Sequence, residues 1–232
     1  MMLPGIMGIA GFVSAPAITL VDTVGPSAFG TSHTFNGVKF GPEYSGRSLL
    51  VYIFGQTKAS AANPVTVSIT SWTVGGVSNL GGGANGFFFR HGGAGSTVFA
   101  GVLSAGFQPA GASGTVTFTT QISTQCSIVV ISTPDLTTQL GDVDGGNAVA
   151  TSTNTSIDVL SLSTVTSGGI VNDSGITTSF TNITKRTSFE HVAGYQCAVA
   201  FDYPIGPFTG RTYTFSTSGS ARAIAIEANS WQ

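Results

Sequence analysis

The sequence predicts an all-β protein: an antiparallel, jelly-roll-like β-sandwich with an extended N-terminal arm. Two observations predict this class. Apolar and polar residues alternate with the period of a strand, and glycine-rich clusters separate the alternating runs. Residues 47–54 form a nearly continuous apolar run instead, which predicts a central strand buried on both faces. Clear alternation occurs at residues 65–72, 116–118, 213–215 and 223–226.

A weak internal repeat indicates two similar β-units. Residues 115–120, a turn and residues 126–131 resemble residues 212–217, a turn and residues 222–227. Residues 69–73 have a looser counterpart in residues 177–181. Such repeats change how a fold is read. The two units either share one sandwich or form two. The predicted division is an arm with a first strand at 1–30, a first unit at 31–135, a connecting loop at 136–149 and a second unit at 150–232.

Glycine pairs lie between several of the alternating runs. Examples are residues 75–76, 145–146 and 168–169. Because glycine adopts the backbone angles that tight turns require, these pairs predict turns rather than strand interiors.

Charge is scarce in this chain. Lys, Arg, Asp and Glu make up only 8% of the residues, and the net charge is −2. With no basic block, the chain lacks the electrostatic signature of nucleic-acid binding or of attraction to an anionic membrane. The 41% of apolar residues provides material for a core. This composition is typical of a β-protein that packs against other proteins.

Catalytic motifs are absent from the sequence, so we predict that the chain is not an enzyme. It contains neither a G-x-S-x-G elbow nor a phosphate-binding loop that ends in Gly-Lys-Ser or Gly-Lys-Thr. Glu190 and His191 are adjacent, but neighbours on a strand point to opposite faces and cannot cooperate simply. Carboxylates such as Glu43, Glu190 and Glu227 could form a glycosidase pair, which keeps a glycan hydrolase as a less favoured alternative.

The first thirteen residues form an apolar arm. A membrane span needs about 20 apolar residues, whereas this segment is shorter and contains Pro4 and three glycines, so we predict no span. We expect the arm to dock on a partner; the alternative is a strand folded onto its own domain. The side chains expected to dock are Leu3, Ile6, Met7, Ile9, Phe12 and Val13.

A glycine-rich segment offers oxygen ligands at Asp142, Asp144 and Asn147, which is a chemistry that calcium favours. The spacing does not match an EF-hand loop, and a solvated turn is the favoured interpretation. We therefore predict no cofactor, with Ca²⁺ as the alternative at these three residues.

Aromatic residues and cysteines each allow two interpretations. Exposed Trp72 and Trp231 would provide stacking surfaces for a glycan, although packing in the core is the favoured role. Cys126 and Cys197 lie in alternating apolar runs, which favours buried thiols over a disulfide.

Several segments resemble β-rich, virion-associated structural proteins of tailed bacteriophages. The leader 2–7 resembles the opening of such proteins, and the C-terminal segment 219–231 also fits. The remaining matching segments are 47–52, 71–77, 114–118 and 126–130.

The resemblance implies a setting rather than a set of catalytic residues. It implies a non-enzymatic virion protein on the tail tip, a tail fibre or the capsid surface, facing the host and contacting other virion proteins. We expect a homo-oligomer, with a trimer favoured by analogy. The alternative is a carbohydrate-binding module that recognises a host surface glycan.

Overall fold

The computed structural model describes residues 18–57, 67–78, 97–103, 109–134, 139–148, 152–159, 164–171, 177–202, 211–218 and 224–231. Every regular element within these ranges is a β-strand, and every strand pair is antiparallel, which confirms the all-β class. The strands are β1 (Thr19–Val24), β2 (Gly30–Lys39), β3 (Arg47–Thr57), β4 (Ile69–Val74), β5 (Val77–Ser78), β6 (Thr97–Leu103), β7 (Ser113–Pro134), β8 (Gln139–Ala148), β9 (Ser152–Val159), β10 (Thr164–Val171), β11 (Thr177–Thr181), β12 (Lys185–Val192), β13 (Tyr195–Asp202), β14 (Arg211–Ser218) and β15 (Ile224–Trp231).

The first seven strands form one sheet organised around β7, which is 22 residues long. The first half of β7 (113–120) lies between β2 and β4, and β5 pairs with β4. Its second half (124–134) lies between β1 and β3, and β6 pairs with β3. The sheet therefore has two parts, with the strand orders β2-β7-β4-β5 and β1-β7-β3-β6.

The first hydrophobic core joins these two parts. Phe35 of β2, Trp72 of β4 and Phe118 of β7 are buried together with Leu49 and Ile53 of β3. Along β2 and the first half of β7, buried residues alternate with more exposed ones, as expected for strands that turn one face to a core. The period-2 pattern of the sequence thus defines an inner apolar face and an outer polar one.

Strand β3 is the centre of the molecule. All eleven of its residues are buried, which confirms the central strand predicted from the apolar run at 47–54. Leu49 and Ile53 face the first core, whereas Leu50, Tyr52 and Phe54 face a second one. The second core also contains residues of β6, the second half of β7, β10 and β13. Both faces of β3 are therefore covered by apolar groups.

The last eight strands form two further sheets. A five-stranded sheet has the order β12-β13-β10-β15-β8, and a three-stranded sheet has the order β11-β14-β9. The five-stranded sheet contributes Ile170, Cys197, Val199 and Phe201 to the second core. This core therefore lies between the two halves of the chain.

The strand registers of the two halves correspond in detail. Trp72 pairs with Phe118 between β4 and β7, and Phe180 pairs with Phe215 between β11 and β14. The sequence repeat aligns these same positions, so the two halves share registers as well as composition. The strand pairings of the first half also recur in the second. The first half of β7 corresponds to β14 and its second half to β15, while β1, β2, β3, β4 and β6 correspond in that order to β8, β9, β10, β11 and β13.

The structure corrects four predictions. The connecting loop predicted at 136–149 contains β8, and the turn predicted at residues 145–146 is part of this strand, because the backbone pairs with β15 along residues 139–148. The turn expected between residues 120 and 126 is continuous strand within β7. Residues 168–169, which were expected to form a turn, lie inside β10. A Cβ atom on Gly168 would come within 2.9 Å of Phe54 and 3.0 Å of Tyr52. A glycine inside a strand here marks a close approach of two sheets.

Candidate functional site

An exposed face of hydroxyl groups covers β2, β4 and the first half of β7. Register places Ser71 beside Thr119 and Thr73 beside Thr117, and Thr34 lies on the other side of Thr117. These five residues are exposed or half-buried, because the inner positions between them face the first core. We call this set, together with Ser32, Asn36, Thr70 and Thr115, the hydroxyl face of the first unit.

Hydrogen bonds run across the strands of this face. The Oγ1 atoms of Thr73 and Thr117 lie 2.6 Å apart, and Thr119 Oγ1 lies 2.6 Å from Thr70 Oγ1 and 2.7 Å from Ser71 Oγ. A hydroxyl both donates and accepts, so each such pair satisfies part of its own hydrogen-bonding capacity.

The second unit repeats the face. Ser179 of β11 pairs with Ser216 of β14, and their Oγ atoms lie 2.7 Å apart. The next outward pair is Thr181 with Thr214. These pairs occupy the positions of Ser71–Thr119 and Thr73–Thr117 in the aligned repeat, and their side chains are likewise exposed or half-buried.

A polar cluster is buried at the edge of the first core. His33 Nδ1 lies 2.9 Å from Ser27 Oγ, and His33 Nε2 lies 2.9 Å from Thr124 Oγ1. Thr124 Oγ1 is also 3.3 Å from Cys126 Sγ, and Ser27 Oγ accepts a hydrogen bond from the Cys126 backbone N–H. Burial raises the pKa of the Cys126 thiol to about 12, against a smaller opposing effect of the Thr124 hydrogen bond. Because the thiolate is the nucleophilic form, this cysteine is unreactive at neutral pH.

A second buried histidine links the two halves of the chain. His191 of β12 has its Nδ1 atom 2.7 Å from Ser127 Oγ of β7, while its Nε2 atom has no hydrogen-bond partner. Burial lowers the pKa of His191 to about 4, against a smaller opposing effect of a backbone hydrogen bond with Gln125. The neighbouring Glu190 carboxylate accepts from the Gly194 backbone N–H, so it takes no part in the histidine pair. The imidazole is therefore neutral at physiological pH and belongs to the packing of the two units.

An arginine clamp closes one end of the first unit. The buried Arg47 guanidinium donates to the backbone carbonyls of Gly41, Pro42, Pro109 and Gly111. These four bonds tie the segment before β3 to the segment before β7. Beside the clamp lies an open pocket of about 280 Å³, whose lining residues are Glu43, Tyr44, Ser45, Gly46, Arg47, Pro109 and Ala110.

The structure places the aromatic and cysteine candidates as follows. Trp72 is only 8% exposed and packs in the first core, as favoured from the sequence, so the alternative of an exposed glycan-stacking surface at Trp72 is wrong. Trp231 is the last residue of β15. Cys126 and Cys197 are buried free thiols, as favoured from the sequence.

The oxygen cluster at Asp142, Asp144 and Asn147 lies along strand β8 instead of in a loop. Within the described part of the chain, no group of three or more His, Cys, Asp or Glu residues could hold a metal ion. The arm, with Leu3 to Val13, lies outside the described residues. In the described ranges no helix is long and apolar enough to span a bilayer.

Comparison of the chain with protein-family models, curated proteins and solved structures found no match. The residues themselves therefore carry the functional argument.

Sequence reasoning missed the hydroxyl face, although its signal is present. A hydroxyl residue recurs at every second position in 32–34, 71–73 and 117–119. Recognising a common face required the register between the strands, which no single segment contains. The two buried histidines had no recognisable signal, because each has a partner far along the chain: Thr124 lies 91 residues from His33, and Ser127 lies 64 residues from His191.

Proposed function

We propose that this chain is a non-enzymatic structural protein of a bacteriophage virion, mounted on the tail tip, a tail fibre or the capsid surface. It faces the host, contacts other virion proteins and forms a homo-oligomer, for which a trimer is favoured by analogy. One observation carries the proposal. The described titratable imidazoles and thiols are buried, while an uncharged hydroxyl face is exposed in each unit. Such a molecule is suited to packing rather than to reaction chemistry.

The finer fold we propose is a tandem pair of jelly-roll sandwiches. Counting the halves of β7 as the seventh and eighth strands, the first unit pairs strand one with eight, two with seven, three with six and four with five. An eight-stranded hairpin rolled on itself produces this nesting, in which the four pairs divide between two facing sheets. In the second unit, β8–β15, β9–β14 and β10–β13 repeat the first three pairs.

This strand order supports the setting only by analogy. Jelly rolls are common in viral capsid and lectin domains, and a fold does not by itself define a function. The analogy agrees with the low charge of the chain and with the phage resemblance of its segments.

The proposal is tested with purified particles of the phage that encodes the chain. Mass spectrometry should find the protein in the particles, and immunogold labelling should place it on the tail or on the capsid surface. Deleting residues 1–13 should release it from particles without unfolding the rest of the chain. Absence of the protein from purified particles would overturn the proposal, and retention of the truncated protein would overturn the role of the arm.

One observation favours the carbohydrate-binding alternative. The pocket beside the Arg47 clamp combines the ring of Tyr44 with the Glu43 carboxylate and the Ser45 hydroxyl, a set of groups that can stack on and hydrogen-bond a sugar. A glycan array should then detect binding that Tyr44→Ala abolishes and Ser188→Ala, on the distant strand β12, does not. Binding that ignores Tyr44→Ala would exclude this pocket.

A further inference from the structure

We propose that Asn36 is a modification site, at which the side-chain amide is lost spontaneously and replaced by a carboxylate. The reaction needs only the chain and water, so it does not depend on the virion proposal. Asparagine is a labile residue, and it reacts fastest before glycine, because a larger side chain on the next residue hinders the attack of that residue's backbone nitrogen. The sequence contains two such pairs, Asn36–Gly37 and Asn85–Gly86, and the second lies outside the described residues.

The first observation is that Asn36 and Gly37 form a β-bulge in strand β2. The register between β2 and β7 shifts between Phe35 and Val38, so that these two residues lie opposite Thr115 alone. A bulge leaves one residue out of the regular ladder of hydrogen bonds. The backbone at this point is therefore less constrained than in a regular strand, and the Gly37 nitrogen can approach the Asn36 side chain.

The second observation is the open space around this pair. Asn36 and Gly37 are both exposed. Gly37 has a φ of +67°, and a Cβ atom built on it would have no neighbour within 4 Å. Water, the other reactant, therefore has access to the site.

The third observation is a hydrogen bond to the amide that reacts. Thr115 Oγ1 donates to Asn36 Oδ1 over 3.2 Å. When the Gly37 nitrogen attacks Cγ of Asn36, negative charge develops on Oδ1, and a donor directed at that oxygen stabilises the charge. The same hydrogen bond holds the amide in place across the strands. The Thr115 hydroxyl therefore accelerates the loss of the amide in the folded protein.

The reaction balances with water as its only co-reactant. A bond forms between the Gly37 nitrogen and Asn36 Cγ, the bond from Cγ to Nδ2 breaks, and the Gly37 amide proton leaves with Nδ2 as ammonia. Water then opens the cyclic imide at either of its carbonyls, which gives aspartate or isoaspartate. Either product adds one carboxylate to the hydroxyl face and changes the net charge of the chain from −2 to −3. Isoaspartate also adds a carbon atom to the backbone between the buried residues Phe35 and Val38.

Peptide mapping of the purified full-length chain tests the site. After incubation at mildly alkaline pH, the peptide that ends at Lys39 should contain aspartate and isoaspartate at position 36, while Asn85 lies on a separate peptide. Asn182 is the matched control, because it is exposed and has a positive φ of 62° but precedes Ile183, so it should keep its amide. An Asn36 amide that survives in the folded protein, after an incubation that converts it in urea, would overturn the proposal.

A second measurement tests the contribution of Thr115. Thr115→Val keeps the branched side chain but removes the donor, so it should slow the loss of the Asn36 amide in the folded protein by about two- to tenfold, the range expected for one neutral hydrogen bond. In urea, where the strands are separated, the wild type and the variant should react at the same rate. Equal rates in the folded proteins, or a difference that persists in urea, would overturn the role of the Thr115 hydroxyl.

Discussion

Acid should weaken the contact between the two halves of the chain through His191. Burial holds the pKa of this imidazole at about 4 in the folded protein, against an ordinary value of 6.5. Because the folded-state pKa is depressed, the unfolded chain binds the proton first as the pH falls. The full stability is present above about pH 6.5 and is lost as the pH falls towards 4. The difference of about 2.5 pKa units corresponds to roughly 3 kcal/mol.

The assay is urea unfolding of the wild type and of His191→Gln at about pH 7.5 and about pH 4.5. The glutamine amide can still hydrogen-bond to Ser127 but does not titrate. His33, whose pKa burial also lowers, is present in both proteins and cancels in the comparison. The wild type should lose about 2.5 kcal/mol more than the variant between these two pH values, since part of the loss comes only below about pH 4.5. Equal losses in the two proteins would refute the reasoning.

Three further experiments test the packing. Gly168→Ala should lower the free energy of unfolding by about 1–3 kcal/mol, because its Cβ would come within 2.9 Å of Phe54. Gly30→Ala, whose Cβ would have no neighbour nearer than 3.6 Å, should leave the free energy of unfolding unchanged or raise it by up to about 1 kcal/mol. Chemical denaturation compares the two variants. Arg47→Met should cost about 3 kcal/mol or more by the same measurement, because four backbone carbonyls lose their donor, and Arg47→Lys should recover part of the loss. Cys126 and Cys197 are both buried, and burial raises the pKa of both thiols, so they should react with a thiol reagent only after unfolding. Fast labelling of the native protein would contradict their burial.

Local patterns predicted much of the fold. Alternation at 65–72 and 213–215 identified β4 from residue 69 onward and β14, and the continuous apolar run identified β3 as a strand buried on both faces. These predictions succeed because the side-chain period of a strand and its burial are written in consecutive residues. The repeat of 115–120 in 212–217 likewise identified positions that share a register in the structure.

Features that depend on distant residues were not predictable in the same way. The glycines at 168–169 indicated a turn, yet they lie in β10 because the rings of Tyr52 and Phe54 fill the space above them. Residues 139–148 indicated a loop, yet pairing with β15 makes them a strand. Tertiary contacts override local propensity in both cases. The hydroxyl face was missed for the same reason, since it exists only once β2, β4 and β7 are in register.

Nuclear Overhauser effects at Gly168 test most directly whether the two similar units share the second core. The Hα protons of this glycine should give strong cross-peaks to the ring protons of both Tyr52 and Phe54, because a Cβ at this position would lie about 3 Å from each ring. The same contact should shift the Gly168 signals through the ring currents. Cross-peaks between the strands β10 and β3 would confirm the shared core. Their complete absence in a spectrum that resolves both strands would contradict it.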